Sequence, residues 1–129
     1  ERQPEFHSLL ALAYGYLGKP HKALHHLWRA VELTPDESAT WLQLAEFLLF
    51  AGDLQEAKEV LEQALENTSS VELLYCTAAC QFLAGERKTA VDTLREALHA
   101  DVSRHPDIFR WAPALREDAE VLGLLSTYC

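Results

Sequence analysis

Histidine and cysteine are the residue types in this chain with the most chemistry to account for. His21, His25 and His26 fall close together. On a helix His21 and His25 share a face, because residues four apart are neighbours there. Two imidazoles so placed are half of a zinc site, which takes three or four protein ligands in tetrahedral geometry. The spacing places no third ligand beside them, so the simpler expectation is histidines on an outer helix face. Cys76 and Cys80 are also four apart, a poor geometry for a disulfide within one helix. A nucleophilic thiol needs a base to draw its proton, and no histidine is forced close to either. Cys129 is expected to be exposed and able to cross-link molecules. Asp107, Glu117, Asp118 and Glu120 read as helix-start and surface charges, with Asp118 and Glu120 suited to the N-terminal side of the last helix. The chain has no phosphate-cradling glycine loop, paired-carboxylate arrangement or nucleophile motif that can be placed. The expectation is therefore a non-catalytic protein with no cofactor and no metal.

The elements that carry these residues are set by a phrase that occurs three times. Gly18, Gly52 and Gly85 are 34 and then 33 residues apart. Ala23, Ala57 and Ala90 each follow five residues after their glycine; Leu27, Leu61 and Leu94 come four later, and Ala30, Ala64 and Ala97 three after that. A period in this range signals a stacked repeat architecture. Each unit divides into two helices with apolar residues at three- and four-residue spacing. The first pair is expected over 4–17 and from Pro20 to Leu33, the second over 38–51 and 54–66, the third over 70–84 and 87–100. The glycines suit the left-handed backbone at a helix end, and Asp53 is a natural cap for the helix after it. Antiparallel helices about 8–10 Å apart need small side chains at their closest approach; Ala45 and Ala78, with Ala23, Ala57 and Ala90, meet that need. In the third unit Thr77 and Gln81 replace larger apolar residues, so looser packing is expected there.

The last stretch differs. Ser103-Arg104-His105-Pro106-Asp107 starts a new element, Pro113 forbids a long uninterrupted helix, and a further helical run is expected over 115–126. Ile108, Phe109 and Trp111 are apolar, and Trp111 with the large aliphatics Leu115, Val121, Leu122, Leu124 and Leu125 argues for an element that covers the apolar end of the stack, against the alternative of a frayed tail outside the fold. The whole is read as one domain, with repeats over 4–37, 38–70 and 71–104 and a C-terminal capping element over 105–129.

Composition bounds the function. The chain has 129 residues and a net charge of −9, from 20 acidic and 11 basic residues. That balance argues against a phosphate-backbone binder, which needs a basic face, and against docking on anionic lipid. No apolar run approaches the roughly 20 residues of a membrane helix. The expected partner is a protein or peptide, not nucleic acid or membrane, and self-association through the N-terminal face stays open. Unpaired cysteines point to a cytoplasmic setting. The start at Glu1 points to a processed protein or a piece of a longer one.

The phased repeats resemble the tetratricopeptide repeat. Repeat one shows Leu10, Ala11, Tyr14, Gly18, Ala23, Leu27, Ala30 and Pro35; repeat two Trp41, Leu44, Ala45, Leu48, Gly52, Ala57, Leu61 and Ala64; repeat three Leu74, Thr77, Ala78, Gln81, Gly85, Ala90, Leu94 and Ala97. The resemblance covers about residues 4–101 and departs from the pattern at His7, Ser69, Thr77 and Gln81. It implies an all-α, right-handed superhelical solenoid of antiparallel helix pairs. It also implies a concave groove lined by the first helices, which binds peptides or segments of other proteins.

By phase, that groove takes Leu9, Leu12 and Tyr16 from repeat one. Repeat two supplies Leu42, Gln43, Glu46, Leu49 and Phe50, and repeat three supplies Glu72, Tyr75, Cys76, Ala79 and Phe82, with Leu83 beside them. Its aromatics suit an apolar or amphipathic segment, and Glu5, Glu46 and Glu72 give it an acidic rim. The competing expectations are that the C-terminal element folds back over this face, or that the aromatics fill gaps between units. Some members of the family clamp a chaperone's C-terminal carboxylate with cations; here the matching positions hold Ser8, Leu12, Gln43, Glu72 and Cys76, which offer none. Other roles the family resemblance leaves open are a docking or regulatory domain of a larger enzyme and a bacterial chaperone for a secreted protein.

Overall fold

The computed structural model of the protein describes residues 20–129. The helix expected over 4–17 and Gly18 lie outside the described residues. Seven α-helices are described: α1 (Pro20–Leu33), α2 (Ser38–Phe50), α3 (Leu54–Asn67), α4 (Val71–Leu83), α5 (Arg87–Ala100), α6 (Asp107–Trp111) and α7 (Ala119–Tyr128). Two short 3-10 turns, Val102–Arg104 and Pro113–Glu117, flank α6, and no strand occurs among the described residues. The fold is all-α and built as a helical repeat.

The helix ends are written in the sequence. Gly52 and Gly85 adopt φ of 87° and 83°, a left-handed backbone that costs an L-residue with a Cβ but not glycine. In each turn two amide N–H groups return to carbonyls of the finished helix. Gly52 N–H donates to Leu49 O and Asp53 N–H to Leu48 O; Gly85 N–H donates to Phe82 O and Glu86 N–H to Gln81 O. Carbonyls that the helix leaves unpaired are thereby satisfied. Asp53 Oδ1 then accepts from Glu56 N–H at 3.2 Å, capping α3. Lys58 of α3 and Glu86 of the next turn form an ion pair that links successive units.

Packing follows the small-residue pattern. Ala23, Ala45, Ala57, Ala78 and Ala90 are fully buried, where helices approach most closely. α1, α3 and α5 bury one stripe each, such as Ala57, Val60, Leu61 and Ala64 in α3. α4 buries eight of its 13 residues, because α3, α5 and α6 all pack on it. Substituting Ala57→Leu is expected to overpack the α2–α3 contact and cost about 1–3 kcal/mol; urea unfolding reads this as a lower midpoint with an unchanged slope.

The C-terminal residues leave the repeat geometry. α4 lies against α3, so a continuing stack would lay α6 against α5. Instead α6 packs chiefly on α4. Pro113, which has no N–H, begins a 3-10 turn directly after α6, so the helix expected over 115–126 starts only at Ala119. Ile108, Phe109, Trp111, Ala112, Leu115, Val121 and Leu125 are buried in the same core as the repeats. A frayed tail is therefore excluded. Arg87 ties α5 to α7, its Nη2 lying 2.9 Å from both Asp118 and Glu120. Asp118 Oδ1 also accepts from the Glu120 and Val121 N–H groups at the start of α7. Partial desolvation pushes the Asp118 carboxyl up; the Val121 and Glu120 N–H groups and Arg87 outweigh this and hold it below its ordinary value.

Candidate functional site: the first-helix face

The residues expected to line the groove fall into three groups. Leu9, Leu12 and Tyr16, with Glu5 and Ser8, lie outside the described residues. On α2 the phase gives an open surface: Gln43 is exposed, Leu42 and Glu46 are half-buried, Leu49 is buried, and Phe50 is 65% exposed. On α4 the face is closed. Tyr75, Cys76 and Ala79 have no exposed surface, and Phe82 is buried with the Arg87 guanidinium 5.4 Å from its ring centroid.

The reason is the position of α6. It lies along α4 and reaches α2, two units back in the repeat order. Glu46 Oε2 accepts from Trp111 Nε1–H at 2.6 Å and from Arg110 Nη2 at 2.9 Å. Glu72 pairs with Arg104 at 2.7 Å, and Arg104 also holds Asp107 at 3.0 Å. The Tyr75 hydroxyl donates to Asp101 O at 2.8 Å. Burial, aided by nearby Asp101, pushes the Tyr75 phenol up to about 12. Glu46 and Glu72 of the acidic rim and the third repeat's share of the groove are thus taken up inside the molecule. Tyr75, Cys76, Ala79 and Phe82 are packing residues, and Glu46 and Glu72 hold the C-terminal element. Leu83, next to Phe82 and 43% exposed, is the apolar residue of α4 that stays open.

Arg104, Arg110 and Trp111 are residues whose part in this face spacing did not disclose. A signal for them exists in the sequence: a basic and aromatic stretch near the C-terminal end of an otherwise acidic chain, opposite a face with carboxylates in phase. Each exposed ion pair contributes only about 0–1 kcal/mol. The indole N–H on a carboxylate is stronger, being charge-assisted. The Arg110 guanidinium also stacks 4.6 Å from the Trp111 ring centroid.

The cysteines are built for packing. Cys76 and Cys80 are buried and Cys129 is exposed. Burial pushes the Cys76 thiol well up, with the Glu46 charge adding to it, and pushes Cys80 up to about 11. A thiolate at neutral pH is therefore disfavoured at both. Cys80 Sγ–H is directed at Leu54 O, 3.7 Å away. A thiol-specific reagent at neutral pH is expected to modify Cys129 rapidly and Cys76 and Cys80 only as fast as the chain unfolds. Stoichiometry followed with and without denaturant checks this.

His25 and His26 touch edge to face at 5.5 Å between ring centroids; the His21 side chain lies outside the described residues. Among the described residues no group of three or more His, Cys, Asp or Glu side chains is placed to hold a metal ion, and no helix is long and apolar enough to cross a membrane.

A family model described as tetratricopeptide repeat matches residues 17–72. No protein of curated function is similar enough to match the chain. The matched span runs from residue 17 through α1, α2 and α3 into the start of α4. Proteins of this family generally mediate protein–protein interaction and are generally non-catalytic modules. Glycine turns at Gly52 and Gly85, buried alanines at each helix contact and a matching family model lead to one conclusion: residues 17–72 match the tetratricopeptide repeat, within a fold built as an all-α helical repeat.

Proposed function

We propose that the protein is a non-catalytic interaction scaffold that binds an apolar or amphipathic segment of a protein partner on its first-helix face. In this reading residues 1–129 form one domain, with repeats over 4–37, 38–70 and 71–104 and the C-terminal element 105–129 lying across the third repeat's part of the groove. The partner engages the part that remains, on repeats one and two, with Leu83 at its far edge.

The carrying observation is the exposure of Phe50. It is 65% exposed in a chain whose other described aromatics are at least partly buried. Leu83 occupies the same repeat phase on α4 and is also open. Contiguous exposed apolar surface commonly marks an interaction site, and in this reading Phe50 and Leu83 contribute to one. Glu46 and Glu72 are occupied by arginines, so apolar contact, not a local acidic rim, supplies the affinity. The net charge of −9 favours a partner segment with a neutral or basic polar face by long-range attraction. The thiols of Cys76, Cys80 and Cys129 support a reducing, cytoplasmic setting. The test is whether an amphipathic helical peptide with a basic polar face binds, and whether Phe50→Ala with Leu83→Ala removes that binding without unfolding the chain.

A further inference from the structure

Five positions around the first helix of repeat three carry smaller or more polar residues than their counterparts one repeat earlier. On α4, Leu74, Thr77 and Gln81 stand where α2 has Trp41, Leu44 and Leu48. On α3, Glu62 stands where α1 has Trp28, and on α5, Thr93 stands where α3 has Val60. Trp41, Leu44, Leu48 and Val60 are buried, and Trp28 packs partly buried against the same core. The Trp41 indole is fixed by its N–H, which donates to Pro35 O at 2.6 Å in the turn before α2. All five of the later residues line one cleft of about 490 Å³ among α3, α4 and α5. The space that two tryptophans and three aliphatic side chains help to fill one repeat earlier is open here.

The bulk that the cleft lacks is aromatic, and its lining suits an aromatic guest. Leu65, Val71 and Leu74 supply aliphatic wall. Thr68, Ser69 and Ser70 line it from the turn before α4, which corresponds to the turn of Pro35 before α2. The Ser70 side chain makes no cap hydrogen bond to α4, so its oxygen is left to accept from another donor. Gln81 Oε1 is itself buried and takes no part. The volume falls within the range of ligand pockets. An anion would meet the Glu62 and Glu96 carboxylates and no lysine or arginine. An aliphatic group would cover the walls and give the hydroxyl oxygens nothing. An indole lays its ring on the walls and offers a single N–H to the turn, the arrangement that holds Trp41 one repeat earlier.

We propose that this cleft receives a tryptophan side chain of a protein partner, with its ring against Leu65, Val71 and Leu74 and its N–H directed at the oxygens of the turn 68–70. Neither Phe50 nor Leu83 lines the cleft. The site is therefore separate from the first-helix face and stands or falls independently of the binding proposed there.

The test is an NMR titration of the full chain with Nα-acetyl-tryptophanamide, with Nα-acetyl-leucinamide and indole as comparisons. The tryptophan derivative is expected to shift the Leu65, Val71 and Leu74 methyl signals along a saturable curve, and the leucine derivative to bind about tenfold more weakly, lacking both the ring and the N–H. Leu74→Trp, the residue type of Trp41, should fill the cleft from within, abolish the shifts at Leu65 and Val71 and raise the melting temperature. Glu62→Trp, the residue type of Trp28, fills it from an exposed position of α3, where overpacking of the core is not at issue; it should weaken binding by about tenfold or more. Phe50→Ala with Leu83→Ala should bind the derivative like the unsubstituted chain, which separates this site from the groove. Shifts that do not saturate, that the leucine derivative reproduces at equal concentration, or that persist unweakened in the Glu62→Trp chain would overturn the proposal and leave a water-filled cleft. Binding of indole but not of Nα-acetyl-tryptophanamide would overturn the assignment to a protein side chain.

Discussion

Replacing Trp111 with alanine is expected to destabilise the protein by about 3–5 kcal/mol, the range for deleting a large aromatic from a core. Trp111 is 2% exposed and belongs to the same cluster as the repeat core. The substitution removes the ring that seats α6 on α4 and the N–H that satisfies Glu46. Ile108 and Phe109, buried beside it on α6, would lose packing neighbours. Trp111→Phe separates these terms: most of the ring burial is kept and only the charge-assisted hydrogen bond is lost, for about 1.5–3 kcal/mol. Chemical denaturation of the two variants checks the order. A Trp111→Ala chain as stable as the parent would mean that the C-terminal element contributes nothing to the fold. A further readout is accessibility: with α6 loosened, Cys76 should become reactive toward thiol reagents, because α6 closes the face on which it sits.

The second large effect is on binding. Phe50→Ala with Leu83→Ala should weaken a basic amphipathic peptide by about 2 kcal/mol or more, roughly 30-fold, the size expected when central aromatic and aliphatic anchors are truncated. Stability should change by no more than about 0.5 kcal/mol per site, as for surface substitutions away from buried features. Phe82→Ala is a control with the opposite signature. Phe82 is buried beneath the Arg87 guanidinium, so its truncation should cost several times more in folding than the neighbouring Leu83→Ala.

Much of the fold was legible because repetition leaves local marks. Gly52 and Gly85 could be read as turns, since only glycine takes their backbone readily, and Asp53 as a cap. The alanines could be read as contacts, since a period of 34 and 33 residues brings them back to the same place. The departure at Thr77 and Gln81 from the apolar residues of the second repeat was legible too, although the helix that carries them buries eight of its 13 residues. The path of α6 was not. The signature that sets helix phase ends before Asp101, and Pro113 shows only that a helix breaks, not where its pieces lie. That path decides the fate of half the expected groove. Tyr75, Cys76 and Ala79 have the right phase to face a partner, yet phase cannot tell a partner from the chain's own next element. Arg104 and Arg110 opposite Glu72 and Glu46 decide the matter, and they depend on contacts 32 and 64 residues apart in sequence. Phe50 is 65% exposed, and that exposure is what distinguishes it from Tyr75.

Phe50 and Leu83 acting as binding residues and not as packing residues is the most direct point to test. The measurement is calorimetric titration of a basic amphipathic helical peptide into the parent chain and into the Phe50→Ala, Leu83→Ala chain, with thermal unfolding of both. Saturable binding to the parent, roughly 30-fold weaker binding to the variant, and melting temperatures within a few degrees of each other are expected. Equal affinity for the two chains, or a variant that has lost its folded state, would contradict the binding role.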